Sequence, residues 1–217
     1  VLKGLDFTIP GGSRTAIVGP TGAGKSTVLS MLSRLQDPDQ GQILIGGVDV
    51  RDLDIRDLRR RIAVVPQEVF LFQGSILDNV RLFDDSISEQ RVTEALTTLG
   101  ALDFVLARPG GLHATVQERG STLSQGEKQL LSFARALASD PDILVLDEAT
   151  ASIDTQSELR IQKALVTLLR DRTCIVVAHR LSTVRDADQI LVMQDGQITE
   201  RGNHQQLMAG NGLYATM

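Results

Sequence analysis

The sequence predicts an α/β fold with a mostly parallel sheet, antiparallel β strands at its N-terminal end and an inserted helical subdomain. Three observations predict it. Short apolar strands at Ala16 to Val18, Ile62 to Val65, Ile143 to Leu146, Cys174 to Val177 and Gln189 to Met193 alternate with helically spaced segments, the pattern of a sheet covered on both faces. From about Ser75 to Arg108 the spacing is helical without strands, so the α/β alternation is interrupted. Leu5, Phe7 and Ile9 alternate with polar neighbours and stop at Pro10-Gly11-Gly12, which predicts a strand and a turn leading into the next strand.

The remaining elements follow in order. Ser26 to Leu35 carries Val28, Met31, Leu32 and Leu35 at helical spacing and runs into Asp37-Pro38-Asp39. Gln42 to Val50 reads as a hairpin around Gly46-Gly47. Ser86 and Glu89 have the spacing of a capping box that opens a helix stopping before Gly100. Helices are expected at about Gly126 to Ala138, Gln156 to Leu169 and Leu181 to Asp186, and Asp195-Gly196 is a two-residue hairpin turn. The expected organisation is one domain over residues 1–217, with 1–74 and about 140–217 forming the core and about 75–139 the helical subdomain.

Composition narrows the function. The 217 residues are 42% hydrophobic and 23% charged, which excludes a disordered tail, a collagenous repeat and a disulfide scaffold. No uninterrupted apolar run exceeds the five residues from Cys174 to Ala178, far short of the roughly 20 that cross a bilayer. Net charge is -5 and aromatics are 3%, so no nucleic-acid partner is expected. The lone Cys174 sits in an apolar run and reads as a small core residue. The chain opens at Val1 in strand-like sequence, and reads as a piece of something longer.

Three motifs carry chemistry. Gly19-Pro20-Thr21-Gly22-Ala23-Gly24-Lys25-Ser26, continuing into Thr27, is a phosphate loop between a strand and a helix. Its glycines let backbone N–H groups curl around a polyphosphate, Lys25 reaches the terminal phosphates and the Ser26 hydroxyl suits Mg²⁺. The strand Ile143 to Leu146 ends in Asp147-Glu148, at the edge where parallel sheets bind ligands. Asp147 suits Mg²⁺, and Glu148 is placed to orient or deprotonate a water. Leu123-Ser124-Gln125-Gly126-Glu127 opens a helix and reads either as an N-cap or as a second anion site.

Together these motifs, in this order, resemble the nucleotide-binding domain of ATP-binding cassette transporters, over almost the whole chain. The resemblance implies a phosphate-loop nucleoside-triphosphatase core, ATP and Mg²⁺ as cofactors, and ATP hydrolysis through Glu148. It implies that Gln67, in Val65-Pro66-Gln67-Glu68, contacts Mg²⁺ and the attacking water and faces the membrane domain. His179 resembles the switch histidine at the γ-phosphate, and Ala151-Ser152-Ile153-Asp154 the loop that pairs two subunits. Glu118-Arg119-Gly120 and Phe70 to Ile76 resemble exporters in particular. The implied partners are a second nucleotide-binding domain, in a homodimer or heterodimer, and a transmembrane domain, with the chain on the cytoplasmic face of a membrane.

Two departures stand out. The family pentapeptide is most often LSGGQ; here Gln125 and Glu127 differ, and Glu127 brings a carboxylate to an anion site. The adenine-stacking aromatic of the family lies upstream of the segment resembling Val1 to Ile9, and Tyr214 is too far along to replace it. Two alternatives are a soluble relative that clamps DNA, disfavoured by the acidity, and a noncatalytic nucleotide-dependent dimerisation module, disfavoured by Glu148 and His179.

Overall fold

The computed structural model describes residues 1–147, 155–178 and 181–217. In chain order the elements are β1 (Arg14–Val18), α1 (Lys25–Leu32), β2 (Leu44–Ile45), β3 (Val48–Asp49), α2 (Ile55–Arg61), β4 (Ile62–Val65), β5 (Gly74–Ser75), α3 (Ile76–Arg81), α4 (Glu89–Thr98) and α5 (Leu102–Leu106). There follow β6 (Thr115–Val116), α6 (Gln125–Ala138), β7 (Ile143–Asp147), α7 (Thr155–Leu168), β8 (Thr173–Val177), α8 (Leu181–Arg185), β9 (Gln189–Gln194), β10 (Gln197–Gly202), α9 (His204–Ala209) and α10 (Leu213–Thr216). Contacts group residues 1–64, 142–147 and the described part of 171–217 into one unit, and 65–141 with 155–170 into a second.

The first unit is built on a six-stranded sheet of order β10-β9-β1-β8-β7-β4. β1 runs parallel to β8 and β9, and β7 runs parallel to β8. Its central strands are buried along most of their length, as continuous apolar runs require. β9 and β10 are the antiparallel exception, joined through Asp195 and Gly196 at φ 51° and 81°, the two positive values that a tight hairpin turn needs. The core gathers Ile17, Val28, Leu29, Val145, Ile175, Val177, Leu191 and Met193 from strands and from α1.

The α/β class stands, but the first expected strand does not form. Leu5, Phe7 and Ile9 do turn towards the core, yet Val1 to Pro10 has no ladder. Gly4, just before that run, has a φ of 63°, and Lys3 N–H donates to Gly196 C=O as a single backbone bond. Alternation reported the buried face correctly and the pairing wrongly. A second correction concerns α4. Its N-cap is Ser88, whose hydroxyl accepts from Arg91 N–H, while Ser86 is occupied with the Asp84 carboxylate at 2.6 Å. The competing local bond removes Ser86 from the capping role.

The second unit is mainly helical, with α6 packed on α3, α4 and α7. A small sheet pairs Gly74 and Ser75 with Val116 and Thr115. Ser75 then caps α3 in a reciprocal box with Asp78, so strand end and helix start share one residue.

Candidate functional site

Gly19 follows directly on β1, and the loop it opens closes at α1. The glycines there are demanded by sterics. Gly19 sits at φ 150°, where a Cβ would meet Met193 C=O at 2.1 Å, and Gly24 at φ 100°, where one would meet Leu2 Cδ2 at 2.7 Å. Gly22, at φ 84°, faces open space instead, so the loop is tight where it meets the fold and open in the middle. Ala23 C=O accepts from Gly196 N–H at 3.1 Å, which ties the loop to the β9–β10 turn.

Lys25 is only 8% exposed. Its ammonium donates to Gly19 C=O at 2.7 Å and Pro20 C=O at 2.9 Å, so the side chain curls over the loop. Burial pulls its pKa below the ordinary lysine range, and the Asp147 carboxylate works in the opposite direction. That coupling brings together two residues 122 positions apart in sequence. The sheet explains it: Asp147 and Ile17 both pair with Val177, so Asp147 lies level with a residue just short of the loop. β1, β7 and β8 end at the same edge, where parallel sheets receive ligands.

Among the remaining loop residues, Pro20, Thr21 and Ser26 are exposed at this edge. A hydroxyl and a carboxylate, from Ser26 and Asp147, are hard oxygen donors of the kind Mg²⁺ takes alongside phosphate and water. Among the described residues no cluster of three or more His, Cys, Asp or Glu offers a fully protein-made metal cage. The donor set fits an ion shared with a nucleotide. Glu148, Asp154 and His179 lie outside the described residues.

Gln67 and the pentapeptide belong to the second unit. Gln67 is exposed, in the segment that leaves β4. Beyond it, buried Leu71 anchors a run whose neighbours Phe70 and Phe72 are 48% and 45% exposed, and Phe72 makes an edge-to-face contact with exposed Phe83. Sequence reasoning missed what holds this run. The wholly buried Asn79 accepts from Phe72 N–H at 2.8 Å and donates to Phe72 C=O and Ser75 C=O. Arg135 in turn donates to Asn79 C=O and Phe70 C=O. An amide among Ile76, Leu77 and Val80 was the available signal.

Ser124 is the N-cap of α6. Its hydroxyl accepts from Glu127 N–H at 3.2 Å, and Glu127 Oε2 accepts from Ser124 N–H at 2.8 Å. Gly126 is buried, with Ser124 and Gln125 exposed on either side of the helix start. The Glu118 to Gly120 turn before it places Arg119 and Gly120 at φ 56° and 61°. Tyr214 is 7% exposed and its hydroxyl lies 2.7 Å from His204 Nδ1, so its ring is committed to the C-terminal helix pair.

A family model described as ABC transporter matches residues 2–151. The chain belongs to the ABC transporter family. It is 49% identical, over its full length, to a probable multidrug resistance ABC transporter ATP-binding/permease protein of Bacillus subtilis, of which it covers 32%. It is 45% identical over its full length to a fatty acid ABC transporter ATP-binding/permease protein of Mycobacterium tuberculosis, covering 34%. A solved bacterial Atm1-family ABC exporter with ATP bound superposes with a TM-score of 0.90 at 43% identity, over 99% of this chain and 38% of that one. The chain thus spans about a third of the length of these ABC relatives. Among its described residues no helix is long and apolar enough to cross a membrane.

Proposed function

We propose that this ABC domain is the ATP-hydrolysing motor of a membrane exporter, closing head to tail with a second such domain around two MgATP. The observation that carries the reading is the buried Lys25 curled over a glycine loop at the sheet edge where Asp147 also ends. Each nucleotide would lie between the phosphate loop of one copy and Ser124 and Gly126 of the other. The loop N–H groups and Lys25 bind and orient the phosphates, exchanging the Gly19 and Pro20 carbonyls for phosphate oxygens. Ser26, Asp147 and Gln67 would hold Mg²⁺, which supplies neutralisation of the phosphate charge. Glu148 orients and deprotonates the attacking water, and His179 contacts the γ-phosphate. The alternation of exposed Phe70 and Phe72 about buried Leu71 supports a transmembrane partner seated near Gln67, on the cytoplasmic side.

The test is ATP turnover by the full-length protein. Lys25→Ala should abolish it, and Glu148→Gln should keep ATP binding while suppressing hydrolysis and favouring the closed pair. Unchanged turnover in Lys25→Ala overturns the assignment.

A further inference from the structure

An acidic fifth residue in the pentapeptide should spoil an anion site. The start of α6 has four backbone N–H groups to dispose of. The capping box uses those of Ser124 and Glu127, and those of Gln125 and Gly126 have no acceptor among the described residues. Two free donors and the positive end of the helix dipole are what a phosphate needs. Against them stands the Glu127 carboxylate, a full negative charge within one turn of a dipole end worth about half a positive charge.

The structure supplies the compensation. Arg108 Nη2 donates to Glu127 Oε1 at 2.9 Å, while the other oxygen is turned back onto Ser124 N–H. The two side chains are 28% and 24% exposed, so the pair is partly withdrawn from water and its charges cancel at close range. Among the described residues Arg108 Nε is buried without an acceptor, and Glu127 is the acceptor that holds the guanidinium. Arg108, Ser124, Gln125, Gly126 and Glu127 all belong to the second unit, so the arrangement is internal to it.

We propose that Arg108 is a positioning residue of the signature helix: by neutralising Glu127 and holding its carboxylate against Ser124 N–H, it leaves the Gln125 and Gly126 N–H groups open to the terminal phosphate of ATP. The inference rests on the ATP-sandwich reading above. It differs from a merely structural brace in one respect. If the pair exists to cancel charge, losing Arg108 is repaired by removing the carboxylate as well; if it exists to pin a loop, removing both partners repairs nothing.

The experiment uses the full-length protein and two readouts with ATP as the probe: KM and kcat for hydrolysis, and, in a Glu148→Gln background, the ATP concentration at half-maximal closure of the two domains. Arg108→Gln should raise both KM and the closure midpoint about fivefold with kcat within about twofold, the size expected for an uncompensated, partly shielded charge. The increase should shrink as salt is raised to about 0.5 M, where screening shortens to a few ångströms. Arg108→Lys and the double variant Arg108→Gln/Glu127→Gln should both return close to wild type. Unchanged midpoints in Arg108→Gln, or a folded double variant as impaired as the single one, overturn the proposal while Lys25→Ala still reports the motor. If Arg108→Gln does not fold, the double variant and Arg108→Lys decide the matter by the same readouts. A wild type that neither closes on ATP nor hydrolyses it overturns the motor reading and this inference with it.

Discussion

Gly126 approaches α7 so closely that a Cβ on it would lie 2.9 Å from Ser157 Cβ and 3.2 Å from its Oγ. The glycine of the signature pentapeptide is therefore required by helix packing, independently of any phosphate. Its presence in a pentapeptide that departs from LSGGQ at Gln125 and Glu127 does not by itself argue for nucleotide contact.

This relationship predicts a specific repair. Gly126→Ala should destabilise the protein by about 1–3 kcal/mol, the usual consequence of overpacking a close contact. Pairing it with Ser157→Gly should recover most of the loss, since the two atoms that collide are then never both present. Thermal unfolding of the two variants measures this. A double variant no more stable than the single one would mean that the clash lies elsewhere.

Gly19 is held to glycine more strictly. A Cβ there meets Met193 C=O at 2.1 Å, and the obstacle is backbone rather than a side chain that can swing away. Gly19→Ala should cost upwards of about 3 kcal/mol and weaken ATP binding through the displaced loop. Gly22→Ala, where the Cβ meets open space and the cost is the φ of 84°, should be milder, at about 1 kcal/mol. Equal melting temperatures for the two variants would contradict the geometry.

Much of this was legible in the sequence because the decisive signals are local. The phosphate loop announces itself in eight consecutive residues, and the strands β7, β8 and β9 in unbroken apolar runs whose periods match burial on both faces. Features made by distant residues were not legible. The Arg108–Glu127 pair spans 19 residues and a turn, and the Ala23–Gly196 tie joins opposite ends of the first unit. In the sequence Asn79 is one polar residue in an apolar stretch; only the fold shows that it supplies backbone partners for an irregular segment. At Leu5, Phe7 and Ile9 alternation reported which side is buried, whereas hydrogen bonding depends on what lies alongside.

Cys174 offers a test by pH. Burial raises its thiol pKa from 9.0 to about 11, and the side chain is wholly enclosed. At pH 8 the thiolate would be about one part in a thousand of the thiol. The native protein should resist a thiol reagent at that pH and react stoichiometrically once unfolded. Because the folded pKa is the higher one, the protonated thiol favours folding below pH 9.0, and this contribution fades as pH climbs towards 11. Cys174→Ala should flatten the loss of stability over that interval. Rapid labelling of the folded protein at pH 8 would contradict the burial.

Asn79 separates folding from coupling. Its side chain serves the Phe72 N–H and C=O and the Ser75 C=O. Asn79→Ala should lower stability by about 2–4 kcal/mol, towards the cost of leaving several polar groups poorly partnered, with water reaching some of them at this half-exposed segment. Hydrogen exchange at the Phe72 amide should accelerate well beyond that of the α6 amides. The segment it steadies carries the exposed aromatics just past Gln67, while Lys25 and Asp147 belong to the other unit. In the full-length protein, ATP turnover should therefore survive better than transport. Phe72 exchange that quickens only in step with the loss of global stability would remove Asn79 from this role, and equal losses of turnover and transport would show that the segment does not couple them.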